Sequence, residues 1–134
     1  MRDTYMDCPD RERSPYLGDA ANQISMSFYA LDRNADKLTK KTIRTLLGWI
    51  EDDYIFPSRS PSKTTSEIPA QNLAFILSTK DYYLNTGDAE TMKLFYPAIK
   101  NYLGVWKMSN GLPEYRPGEF PWTDWGNNAD EKLI

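Results

Sequence analysis

The sequence predicts an all-α fold assembled from helical hairpins. Apolar residues return at steps of three and four in four separate segments, and helix start and stop signals flank those segments. The helix-pair layout also recurs at a spacing of about 45–50 residues, which suits a solenoid or a helical toroid. With 134 residues, 40% of them hydrophobic and 26% charged, the chain has a globular composition and length for a single core.

The first 17 residues read as a loop, because Asp7 to Pro15 holds two prolines among its charges and shows no period. Gly18-Asp19 then opens a first helix, with Asp19 as its expected N-cap and Ala21, Ile24, Phe28 and Leu31 as its apolar stripe. Asp32-Arg33-Asn34 interrupts the pattern. A second helix carries Leu38, Ile43, Leu46, Leu47 and Ile50 on one face and ends in Glu51-Asp52-Asp53. Residues 57–66 form a Pro/Ser/Thr/Lys-rich surface loop. A third helix starts near Pro69, a favourable first-turn residue, with Leu73, Ile76, Leu77, Tyr83 and Leu84 as the expected core stripe. Gly87 reads as the residue that ends it and Asp88 as the next N-cap. The fourth helix carries Met92, Phe95, Tyr96, Ile99, Tyr102, Leu103 and Trp106, and Pro97 is expected to kink or split it. From Asn110 an aromatic loop rich in Gly and Pro runs to Trp122-Thr123-Asp124-Trp125-Gly126.

Composition narrows the chemistry. There is no histidine, so Ser-His-Asp, Cys-His and His-ligated zinc sites cannot be built from these residues. Cys8 stands alone and cannot form an internal disulfide. It reads as a small buried packing residue. A net charge of -3 without a basic cluster disfavours a nucleic-acid partner, and Lys37, Lys40, Lys41 and Arg44 read as a solvated helical face. No apolar run is long enough to span a membrane, and Met1 to Met6 has no signal-like apolar region. What remains is 19 carboxylates and a surplus of aromatic residues, a combination suited to carbohydrate. Asp7, Glu12 and Asp19 lie close in sequence with Arg11 and Arg13 between them. Glycoside hydrolysis needs such a pairing of one protonated and one ionised carboxyl, and mutual repulsion is expected to raise the pKa of one member. The same residues also fit a solvated charged loop followed by a helix cap.

The run Asp7-Cys8-Pro9-Asp10-Arg11-Glu12-Arg13-Ser14-Pro15-Tyr16-Leu17-Gly18-Asp19 resembles the signature of the α-L-rhamnosidases of glycoside hydrolase family 78. Thr86-Gly87-Asp88, Tyr96-Pro97 and Asp124-Trp125 follow in that family's order, so the resemblance covers nearly the whole chain. It implies an (α/α)6 toroid of six hairpins, of which residues 1–134 supply the N-terminal catalytic loop and about two hairpins, a partial catalytic domain. It further implies an inverting mechanism in which Glu12 is the general acid. Asp7, Arg11, Asp19 and Asp124 would bind sugar hydroxyls, and Tyr16 and Trp125 would offer ring faces. The general base and a supporting histidine would come from a later hairpin, which leaves the isolated chain inactive. No metal or organic cofactor is implied. The expected partner is a rhamnose-bearing plant glycan or glycoside, and apolar helix faces meant for missing hairpins would favour self-association.

Two departures keep alternatives open. Tyr16 stands where the family more often has Trp, and Ser66 to Gln71 lacks a Trp-containing segment that many relatives place in the site. Both favour another α-L-glycoside or uronide hydrolase on the same toroid. A non-catalytic helical-repeat interaction module would need only the hairpin layout. Glu67 is read either as a substrate contact or as a charge at a helix N-terminus. Glu114 and Glu119 on the aromatic loop are the carboxylates available as substitute bases, and Trp122 is either a sugar platform or a packed loop residue.

Overall fold

The computed structural model of the chain describes residues 3–62, 66–114 and 116. Four helices follow in order: α1 (Leu17–Ala30), α2 (Ala35–Leu47), α3 (Pro69–Thr86) and α4 (Ala89–Gly104). A two-residue antiparallel pair, β1 (Met108–Ser109) and β2 (Leu112–Pro113), turns through Asn110 and Gly111, both at positive φ. The fold is all-α and forms part of a six-hairpin toroid.

The dominant packing is between alternate helices, with smaller contacts between the chain neighbours α2–α3 and α3–α4. The main contact of α1 is with α3, while α2 packs on α4. Gly18 touches Gln71 near the N-termini of α1 and α3, and Arg33 reaches the Asn85 carbonyl (3.2 Å) near their C-terminal ends. The two helices are therefore parallel, as expected when successive hairpins stand side by side in two layers. Short turns at 31–34 and 87–88 close one end. The long segment 48–68 and the β1–β2 hairpin lie at the other, where α1 and α3 begin.

The α1 face turned to the core is Leu17, Ala20, Ala21, Ile24 and Ser27, and three of these five are small. Against small residues two helices can approach closely, and α3 meets them with Asn72, Phe75, Ser78, Thr79 and Tyr82. The expected apolar stripe of α3 is thus displaced. Leu73, Leu77, Tyr83 and Leu84 are exposed, and only Ile76 packs against the core. The mixed polar and aromatic face can be buried because most of its polar groups find carbonyl acceptors. Ser78 and Thr79 hydroxyls donate to the Phe75 and Ile76 carbonyls, and the Asn72 amide donates to the Phe56 carbonyl (2.7 Å). In α4, Phe95, Ile99 and Tyr102 are buried as expected, whereas Tyr96 and Leu103 face outward. Pro97 does not split α4, which continues through it. Phe56 completes the core by stacking on Tyr102 at 4.4 Å between ring centroids.

The tightest node sits at the short-turn end. Gly87 ends α3 in the left-handed region (φ 68°), and Asp88 then caps α4 by accepting the Thr91 N–H (3.2 Å). Its other oxygen accepts from Thr91 Oγ1 and Tyr82 Oη (2.6 Å each) and pairs with Lys40 Nζ (2.9 Å). One carboxylate thereby ties α2, α3 and α4 together. Burial pushes its pKa up, but the donors from Thr91, Tyr82 and Lys40 outweigh this and hold it well below the ordinary value. Among the described residues no helix is long and apolar enough to cross a membrane.

Asp88→Ala is expected to lose about 2 kcal/mol of stability at neutral pH, from a cap and its donors together. The pKa of Asp88 is lower in the folded chain, so its contribution is complete above pH of about 4 and declines as the pH falls further. Urea titrations at several acid pH values should show that decline in the wild type and a weaker one in Asp88→Asn.

Candidate active site

The segment from Asp7 to Ser14 is a closed loop. The Asp7 N–H donates to the Ser14 carbonyl (3.0 Å), and the Ser14 N–H donates back to Asp7 Oδ1 (2.8 Å). Arg13 takes a left-handed conformation (φ 51°) to bring the chain round. The loop is fastened to the helices from both sides. The Gln23 amide on α1 holds the Met6 backbone at N–H and carbonyl, and the buried Tyr5 hydroxyl bonds Thr39 on α2 (3.0 Å). Beyond the loop, the Leu17 N–H donates to the Ser58 carbonyl (2.9 Å), which fixes where α1 starts.

That start differs from expectation. Tyr16, not Asp19, is the N-cap of α1, and Asp19 falls within its first turn. Pairing of the Leu17 backbone with the 57–60 segment moves the boundary upstream, which a local capping signal could not reveal.

A cleft of about 590 Å³ opens between the loop and the start of α3. The loop contributes Asp7, Cys8, Arg11 and Glu12, and the head of α1 contributes Tyr16 and Asp19. Five expected site residues are therefore brought to one cleft. Asp124 and Trp125, together with Glu119 and Trp122, lie outside the described residues. The facing wall is Ser66, Ile68 and Gln71, from the Ser66–Gln71 segment that the family resemblance tied to the site without naming these side chains. A second signal was Gly18. A Cβ there would lie 2.7 Å from Gln71 Cγ and 2.8 Å from its Cδ, so glycine is what lets the two walls meet.

Each carboxylate has a distinct setting. Glu12 Oε1 pairs with Arg11 Nη2 (2.6 Å), while Oε2 accepts the Cys8 thiol (2.7 Å). The Glu12 backbone N–H in turn donates to the same sulfur (3.1 Å). Cys8 is thus half-exposed and hydrogen-bonded, not the buried packing residue expected from its neighbours. The Cys8 thiol, followed by Asp7 and Arg11, holds the Glu12 carboxyl down at about 2. Asp19 moves the other way. Burial raises its pKa, and the charges of Asp7 and Glu12 add to the effect. The raised carboxyl of the cluster is Asp19, with burial the larger cause and like charge the smaller.

Asp7, Cys8 and Glu12 offer ligand atoms within 4.8 Å of one another, a spacing that would admit a small cation. Asp7 Oδ1, the Cys8 sulfur and both Glu12 oxygens already hold the Ser14 N–H, the Glu12 N–H, the thiol and Arg11.

Tyr16 presents a ring to the cleft, but its hydroxyl accepts from Arg59 (2.5 Å) and the guanidinium lies 5.1 Å from the ring centroid. One ring face is therefore covered. Glu67 is buried, and its two oxygens are taken by the Tyr102 hydroxyl and by Arg116. Arg116 in turn lies 4.4 Å from the Trp106 ring centroid. Glu67 is a structural anchor for the segment after β2, which replaces its reading as a substrate contact. Glu114 is exposed just after β2, with its N–H on the Lys107 carbonyl, and is not among the residues lining the cleft.

The family described as bacterial alpha-L-rhamnosidase 6 hairpin glycosidase domain matches residues 1–133. No curated protein and no solved structure matches the chain.

Gly18→Ala is expected to displace Gln71 and reshape the cleft wall. Overpacking of about 1–3 kcal/mol exceeds the helix-propensity gain of alanine, so a net loss of about 1 kcal/mol should appear in thermal denaturation.

Proposed function

The chain belongs to the bacterial alpha-L-rhamnosidase six-hairpin glycosidase domain family, and from that premise we propose that it supplies the proton-donating side of an inverting α-L-rhamnosidase site. Residues 1–134 would form part of the catalytic domain. The observation that carries this reading is the convergence of Asp7, Arg11, Glu12 and Asp19 on one cleft at the loop end of the helices.

In this reading a terminal α-L-rhamnose sits in the cleft with its hydroxyls on Asp7, Arg11 and Asp19, and with Asp124 and Trp125 beside it. Glu12 protonates the glycosidic oxygen as the bond to the anomeric carbon breaks. Water attacks that carbon from the opposite face and gives up its proton to a second carboxylate about 6.5–9.5 Å away. That base would come from another of the six hairpins, which makes the isolated chain inactive. Glu12 is ionised in the free cleft, so it acts as an acid only after a proton and the substrate oxygen displace its present donors. Rhamnose-bearing plant glycans and glycosides are the proposed substrates.

The elevated Asp19 favours one second reading, in which Asp19 holds the proton. Leaving-group dependence separates the two. On a chain carrying all six hairpins, Glu12→Gln is expected to lower turnover of unactivated α-L-rhamnosides at least about 10²-fold, the scale of general acid catalysis. Activated dinitrophenyl rhamnosides, whose leaving group needs no proton, should be spared. Proton NMR of the wild type should show the β-anomer first. The same pattern in Asp19→Asn instead would transfer the role. No cleavage of rhamnosides by the wild type would redirect the assignment to other α-L-glycosides or uronides, and then to a binding module.

We further propose self-association of the isolated chain through the exposed Leu73, Leu77 and Leu84 face of α3. Sedimentation should show species larger than a monomer, shifted toward monomer by Leu77→Lys.

A further inference from the structure

Cys8 sits in the middle of the catalytic loop, yet the reading above gives it no work. Its geometry is specific. From a single sulfur it donates to Glu12 Oε2 (2.7 Å) and accepts the Glu12 backbone N–H (3.1 Å). Both contacts join residues four apart in a segment that is not helical, so no regular backbone pattern produces them. The loop that carries them is closed independently by the Asp7–Ser14 pair. The ends of the loop are therefore joined without Cys8, whose two hydrogen bonds both fall on Glu12.

We propose that Cys8 is a positioning residue for Glu12, fixing its backbone and its carboxyl from one atom and yielding the carboxyl when substrate arrives. The inference rests on the reading of Glu12 as the proton donor. A neutral thiol suits this task because a glycosidic oxygen can take its place without leaving a charge unpaired. The remaining groups around Glu12 are Arg11, which holds the other oxygen, and the carboxylates of Asp7 and Asp19. Among the described residues, the wall at the start of α3 brings Ser66, Ile68 and Gln71 to the cleft, none of them titratable.

The test reads Glu12 directly and does not require turnover. The side-chain carboxyl of Glu12 is followed by carbon NMR against pH in the 134-residue chain, with Glu12→Gln used to assign the signal. The wild type should titrate near 2. Cys8→Ala should move the midpoint up by about one pH unit or more, toward the ordinary glutamate value of about 4.3. Cys8→Ser, which keeps a donor, should fall between. Methylthiolation of the single cysteine removes the S–H without a mutation and should reproduce the Cys8→Ala shift if that variant fails to fold. An unchanged midpoint in both overturns the proposal.

On a chain with all six hairpins, Cys8→Ala should shift the alkaline limb of the pH–rate profile upward and Cys8→Ser should restore most of it. A uniform loss at every pH, unrelieved by serine, would make Cys8 merely structural. An intact NMR shift alongside a fully active Glu12→Gln would instead remove the acid role from Glu12.

Discussion

Gly18 and Gln71 meet where α1 packs on α3, and the cleft depends on that contact. Without a side chain at position 18 the heads of two parallel helices come together. The Asp7–Ser14 loop leads into one head and the Ser66–Ile68 segment into the other, so a helix contact becomes a two-walled cleft. The small face of α1 continues the same approach down the pair through Ala20, Ala21 and Ser27. At the far end Asp88 locks α2, α3 and α4 to each other. The site end is then free to carry long segments, whose backbone is organised by side chains instead of by helix ladders.

Within the cleft, chemistry follows from how unequally neighbouring carboxylates are treated. Asp7 uses one oxygen to close its own loop. Glu12 has a donor on each oxygen and is held ionised, whereas Asp19 loses water to burial and meets two like charges. An acid that begins ionised can serve only if its donors are replaceable. The exposed Arg11 side chain and the neutral thiol donor both meet that condition.

The helices were legible because three- and four-residue steps and the Gly87-Asp88 junction are local signals. The five loop and α1 residues of the cleft were legible through the family resemblance carried by one unbroken run from Asp7 to Asp19, since their charges alone also fitted a solvated loop. Other features depend on partners distant in sequence. The stripe Leu73, Leu77 and Leu84 has the period of a core face, but the core face is set by what α1 presents, and α1 presents small residues to Phe75 and Tyr82. Glu67 looked like a helix-terminal charge until Tyr102 and Arg116, 35 and 49 residues away, were seen to take both its oxygens. Cys8 was misread because a sulfur between Asp7 and Pro9 gives no hint of a contact four residues on. Tyr16 kept its place in the cleft but shares its ring with Arg59, which comes from the loop before α3.

The central claim is that the cleft between the catalytic loop and the head of α3 receives the sugar. Titrating L-rhamnose in large excess into the isotopically labelled chain and following backbone amide shifts tests it most directly. The account predicts movement concentrated at Cys8, Glu12, Gly18, Asp19, Ile68 and Gln71, with the basic face of α2 at Lys37, Lys41 and Arg44 unmoved. Shifts centred on that basic face or on the exposed stripe of α3, with the cleft silent, would contradict it.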